Sequence, residues 1–137
     1  MDTTIDKNFF VSQHDAKRKQ AFIDHVIANP LPDMTWNQDL FCKARCSPKR
    51  CSSMSAQAHD SGGYQNLAFE PYGIQQWYDE SKDPAGDDGH LRNMMNTAEL
   101  GCNYQACGPG TGIVDPNSSE MRCNYSGSSG GGIFPFD

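Results

Sequence analysis

Apolar residues near the start of the chain recur at helical spacing: Phe22, Ile23, Val26 and Ile27 stand at i, i+1, i+4 and i+5. This pattern predicts a first helix over 12–28, capped by Ser12 and stopped by Asn29-Pro30, because proline has no N–H to donate to a helix interior. A second short helix is expected after Thr35, with Trp36, Leu40, Phe41 and Ala44 on one side, running into CSPKRC where Pro48 sets a loop. Ile74, Trp77 and Tyr78 predict a third helix beginning near Glu70-Pro71 and ending before DPAGDDG, a strong turn signal. Residues 91–98 fit a short helix. LGCNYQAC and EMRCNYS alternate as strands do, with turn-forming GPGTG and DPNSS between them. The chain closes on SGSSGGGIFPFD, a glycine-serine run whose apolar end suggests docking or attachment. One domain is expected over 1–137, with its core in 12–126 and a tail in 127–137.

Composition sharpens this picture. A chain of 137 residues buries roughly two-thirds of its unfolded surface, and 36% hydrophobic content with many Gly, Pro, Ser and Asn points to a loop-rich fold. Six cysteines, an even number, favour disulfides in an oxidising compartment, so the protein reads as secreted. A zinc knot is the rival, because Cys42 and Cys46 stand in a C-x3-C arrangement close to Cys51; it is disfavoured because no second tight C-x2-C pair exists. The opening MDTTIDKNFFVSQ lacks a signal-peptide pattern and reads as a mature N-terminus with an added Met, and no apolar run reaches the roughly 18 residues of a membrane span. A net charge of −6 excludes bulk attraction to nucleic acid or anionic lipid. Lys43, Arg45, Lys49 and Arg50 form a local basic stretch, read as a solvated loop. Asn117 and Asn124 begin glycosylation sequons.

Eight segments in order bring a resemblance. QHDAKRK is similar to a His-Asn-x-x-Arg opening and MTWNQDL to Leu-x-Trp-Asp-x-x-Leu; AHDS, GYQNLA with QQWYDE, GHLRNMM, and LGCNYQAC with RCNYSGSSGGG follow. Together, over roughly residues 13–136, they resemble the CAP superfamily of cysteine-rich secretory proteins, venom antigens and plant pathogenesis-related proteins. That resemblance implies an α/β fold: an α-β-α sandwich whose small, mostly antiparallel sheet lies between helical layers and is stapled by disulfides.

The resemblance also implies a cleft where two histidines and two acids meet, sometimes around zinc or another divalent cation. Carried onto this sequence, these are His59, His90 and Glu80, with Gln65 where the second acid usually stands. A neutral amide is a weak metal ligand, so no cofactor is required and a divalent cation such as zinc would bind weakly. Leu91, Arg92, Asn93 and Met94 depart from the aromatic-Thr-Gln run that usually follows Gly-His, and Arg92 would set a positive charge beside any metal. A hydrogen-bonded brace satisfies the same four residues without metal. For His14 and His25 the expectation is a place on a helix face. By the same resemblance Cys102 pairs with Cys123, Cys107 with Cys51 or Cys46, and Cys42 with whichever remains. A crosslink over about twenty residues contributes roughly 3 kcal/mol.

The function expected is a secreted, non-enzymatic binding module for a small apolar ligand such as a sterol or lipid, or for an extracellular protein partner. Met54, Phe69, Tyr72, Met94 and Met95 are candidates for an adaptable apolar groove, with ordinary core packing as their plainer role. The alternatives are a metal-dependent hydrolase working from the His/Glu cleft, which Gln65 disfavours, and a structural component of an extracellular assembly.

Overall fold

A computed structural model describes residues 4–48, 51, 63–68, 73–82, 89–107 and 119–130. The first helix, α1, runs Thr4–Ile23, beginning earlier and ending earlier than its apolar spacing predicts. Ser12 does not cap it; its hydroxyl donates to the Phe9 carbonyl within the helix. The stop comes at His25, whose φ of 60° is left-handed. There the Val26 N–H reaches back to the Ala21 carbonyl and the His25 N–H to that of Phe22, the paired bonds of a Schellman end. The helix therefore terminates before Asn29-Pro30 has any part in it.

The inward stripe of α1 is Phe10, His14, Arg18 and Ala21, all essentially inaccessible, whereas Phe22 and Ile23 are 41% and 66% exposed. The buried face of this helix is half polar, so hydrophobic spacing points to the wrong side.

After the Schellman turn, Thr35–Trp36 forms a short strand, β1, rather than starting a helix. Asn37 then caps α2, Gln38–Arg45, its Oδ1 accepting from the Leu40 N–H at 3.2 Å, and Phe41 and Ala44 face inward. Strand β2 is Tyr64–Ala68, a segment in which hydrophobic alternation gives no strand signal. Helix α3, Gly73–Asp79, buries Ile74, Trp77 and Tyr78 and passes into a 3-10 turn, Glu80–Lys82. Helix α4 is Gly89–Asn96, and strands β3 and β4 are Glu99–Ala106 and Ser119–Ser126.

The strands form one sheet in the order β1-β3-β4-β2, antiparallel except for β1 against β3. Helix α2 packs on β3 and β4, while α1 and α4 lie over the other side with α3 against them, giving an α-β-α sandwich. Alternation along the strands makes the two faces chemically different. The α1/α4 face carries Leu100, Cys102, Met121, Cys123 and Tyr125 into the main apolar core. The α2 face is polar: Glu120, Arg122 and Asn124 on β4 and Gln65 on β2 are all buried there. Arg122 Nε and Glu120 Oε1 pair at 2.7 Å with both side chains wholly inaccessible. The second oxygen of Glu120 accepts the Cys51 N–H at 2.7 Å, and Arg122 Nη1 donates to Ser47, so the pair also holds the chain that follows α2.

Cys102 and Cys123, opposite each other on β3 and β4, are joined, and Cys51 is joined to Cys107. The expected third bridge is not formed: Cys42 and Cys46 are free thiols. They stand one turn apart on α2, where the Cys46 N–H still donates to the Cys42 carbonyl. Side chains at i and i+4 of a helix have Cβ atoms about 5–6 Å apart, beyond the roughly 3.5–4.5 Å of a disulfide.

Gly101 is where α2 meets the sheet, and a Cβ there would lie 2.1 Å from the backbone nitrogen of Phe41 and 2.6 Å from the Asn37 carbonyl oxygen. Neither atom belongs to a movable side chain. Gly101→Ala is therefore expected to lower stability by at least about 3 kcal/mol, at the upper end of overpacking costs, read from urea unfolding; a change below about 0.5 kcal/mol would show that α2 yields freely.

Candidate functional site

His90 and Glu80 come together at the N-terminus of α4. Glu80 is placed by the 3-10 turn after α3, and His90 lies in the first turn of α4. Glu80 Oε2 lies 2.7 Å from His90 Nδ1, and Oε1 accepts the Leu91 N–H at 3.0 Å. The carboxylate thus takes one of the amides that every helix start leaves without an intrahelical partner, and sets negative charge at the positive end of the helix dipole. Buried Trp77 stacks on the imidazole, with ring centroids 6.1 Å apart and planes 12° from parallel. With neutral imidazole, Nδ1–H donates to Glu80 and the lone pair rests on Nε2.

The other expected cleft residues are placed differently. His59 lies outside the described residues, as do Met54, Phe69 and Tyr72. Gln65 pairs with Asn124 across β2 and β4, and its Nε2 donates to Asn124 Oδ1 at 2.7 Å. Asn124 in turn donates to the Leu40 carbonyl on α2, so Gln65 points to the α2 face of the sheet while His90 and Glu80 lie over the opposite face. A strand's alternating side chains explain this, because the neighbouring Asn66 is the one that reaches α4. Arg92, two positions after His90, is turned about 200° around α4. Met94 and Met95 are wholly buried in the core.

Asn66 leads to residues that the sequence pattern assigned only to a helix face. Its amide nitrogen donates to the His90 carbonyl at 3.0 Å and to Tyr125 Oη at 3.2 Å, while its oxygen accepts from Asn93 at 2.8 Å. Tyr125 lies 2.7 Å from His14 Nε2, and His14 Nδ1 lies 2.8 Å from the Phe10 carbonyl. A carbonyl can only accept, so Nδ1 carries the hydrogen and Nε2 receives the Tyr125 hydroxyl proton. Every hydrogen bond in the chain from Phe10 to Asn93 then has a donor facing an acceptor. Burial depresses the pKa of His14 to about 4, with nearby Arg18 lowering it further against the opposing pull of the Phe10 carbonyl. Burial also pushes the Tyr125 phenol upward.

Arg18, one turn beyond His14, does for the far end of α4 what Glu80 does for the near end. Its Nη1 donates to the carbonyls of Met94 and Thr97, each at 2.9 Å, and its Nε and Nη2 both reach the Pro32 carbonyl. Ser129 adds its hydroxyl to the Met95 carbonyl and its N–H to that of Asn96. The opening HDAKR segment thus brings two polar side chains inward at i and i+4, and Asp15 between them accepts the Met34 N–H.

Two observations bear on zinc. Glu80 holds His90 through one oxygen and the Leu91 N–H through the other, the contact of a carboxylate that orients an imidazole. Among the described residues no group of three or more His, Cys, Asp or Glu side chains is arranged to hold a metal ion. Within the His90–Glu80 pair the nitrogen left for a metal is His90 Nε2.

The low pKa of His14 has a signed consequence. The unfolded chain binds the proton with a pKa near 6.5 and the folded chain only near 4, so stability is greatest above pH 6.5 and falls as pH drops through that window. The loss should approach about 3 kcal/mol, at 1.36 kcal/mol per unit. His14→Gln should flatten this slope in urea unfolding between pH 7 and 4; an unchanged slope would assign the acid sensitivity to other groups.

No protein-family profile matches the sequence, and no curated protein matches it. Solved structures do. Hookworm platelet inhibitor is similar over 97% of this chain and 74% of its own, at 17% identity and a TM-score of 0.65. MpPR-1i is similar over 93% of this chain and 91% of its own, at 17% identity and a TM-score of 0.67. With the sandwich, the strand-to-strand disulfide and these likenesses, the chain has the CAP fold.

Proposed function

We propose that the protein is a secreted, non-enzymatic binding module that engages an extracellular protein or a small apolar ligand. The observation that carries this reading is the state of Glu80, whose two oxygens hold the His90 ring and the first turn of α4. A general base needs a carboxylate free to take a proton, and a metal-assisted hydrolase needs the histidines joined by a further ligand. The pair His90–Glu80 instead works as a brace. Two disulfides support the secreted location, since such bonds persist in oxidising compartments. One of the similar structures is named for inhibiting platelets, the kind of work a binding module performs.

With Met94 and Met95 buried, an apolar ligand would meet the described residues at the surface. There Phe22 and Ile23 stand exposed beside Pro30 and Leu31, around a shallow groove of about 300 Å³ that Lys19 also lines. Among the described residues no helix is long and apolar enough to cross a membrane.

Native mass spectrometry of the non-reduced protein, with and without a small excess of zinc, tests the reading. The expected spectrum shows no zinc whose retention depends on His90. One zinc per chain that disappears in both His59→Ala and His90→Ala would overturn the brace and send the protein to hydrolase assays.

A further inference from the structure

We propose that Cys42 and Cys46 form a two-thiolate site for a soft monovalent metal ion such as Cu(I). All six cysteines lie among the described residues, and these two alone are free, in a chain whose other four are joined. Both stand on the outer layer of the sandwich: Cys46 is exposed at the end of α2 and Cys42 is half-buried one turn earlier.

The spacing discriminates between the two things a thiol pair can do. A direct sulfur–sulfur bond needs Cβ atoms about 3.5–4.5 Å apart, which the intact last turn of α2 denies. An ion held by two metal–thiolate bonds of about 2.3 Å keeps its sulfurs roughly 4–4.6 Å apart, which side chains at i and i+4 reach by rotation about χ1 alone. The helix therefore withholds a disulfide and leaves room for one bridging ion.

The number of ligands selects the ion. Zinc is almost always four-coordinate in protein sites, and among the described residues nothing completes a group of three. Thiolates favour soft ions, of which Cu(I) accepts two sulfurs. Binding is a proton exchange with no change of oxidation state: two thiols and one Cu(I) give a bis-thiolate complex of charge −1 and two protons. Lys43 and Arg45, both exposed on the same two turns of α2, supply positive charge beside that complex. Gln38, one turn before Cys42, aims its amide nitrogen at Cys42 Sγ from 4.0 Å, the kind of outer contact that steadies a metal-bound thiolate.

The test is an anaerobic titration of the full, non-reduced chain with Cu(I) against a chromophoric Cu(I) chelator, alongside Cys42→Ser and Cys46→Ser. One Cu(I) per chain is expected, falling to none in either variant while circular dichroism stays unchanged, since neither thiol belongs to the core. Uptake that survives both substitutions would overturn the assignment. So would a peptide map of the untreated protein showing Cys42 joined to Cys46, or Cys46 joined to a second chain, because then no thiol pair exists to bind. The zinc experiment on His59 and His90 reads different residues, so either proposal can fail alone.

Discussion

The structure depends on holding α4 at both ends with charge supplied from elsewhere. Eight residues are too few for a helix to persist unaided, since isolated helices below about 12–15 residues are marginal in water. Glu80 puts a carboxylate at the N-terminus, and Arg18 puts a guanidinium against the last carbonyls. Both signs suit the helix dipole, and both groups satisfy backbone atoms that would otherwise be buried without partners. Because Arg18 belongs to α1 and Glu80 to the turn after α3, the clamp also fixes those elements relative to one another. His90 inherits its position from this arrangement.

The sheet divides the remaining work between its faces. One face feeds the apolar core and the Cys102–Cys123 bridge; the other buries the Glu120–Arg122 pair beneath α2. A buried ion pair contributes little net stability against a well-packed apolar substitute, because desolvating both charges offsets their attraction. Its value here lies in geometry, since Glu120 and Arg122 fix the backbone at Cys51 and the side chain of Ser47, and so set the path by which the chain leaves α2 toward the Cys51–Cys107 bridge. Gly101 completes that contact by letting the helix backbone lie directly on the strand.

What the sequence discloses follows from which side chains do the packing. Ile74, Trp77 and Tyr78 are apolar and inward, so α3 is legible, as are β3, β4 and the short helix before them. Where polar residues face inward the pattern misleads. His14 and Arg18 make the buried stripe of α1 invisible to hydrophobic periodicity, and Phe22 and Ile23, which seem to define it, face solvent. Strand β2 was hidden for a similar reason, because its inward residues include Gln65 and Asn66. Placing Gln65 with His90 and Glu80 failed on strand alternation: no alignment of motifs in order says which face a residue takes. The HDAKR segment was the signal available for His14 and Arg18, yet its physical meaning needs α4 in view.

Amide hydrogen exchange on α4 in the native protein and in Glu80→Ala tests the clamp most directly. Protection from Leu91 to Asn96 should fall at least about tenfold, a loss near 1.4 kcal/mol, while the amides of β3 and β4 change far less. Equal protection of α4 in the two proteins would contradict the account, leaving the helix to stand on its apolar packing alone.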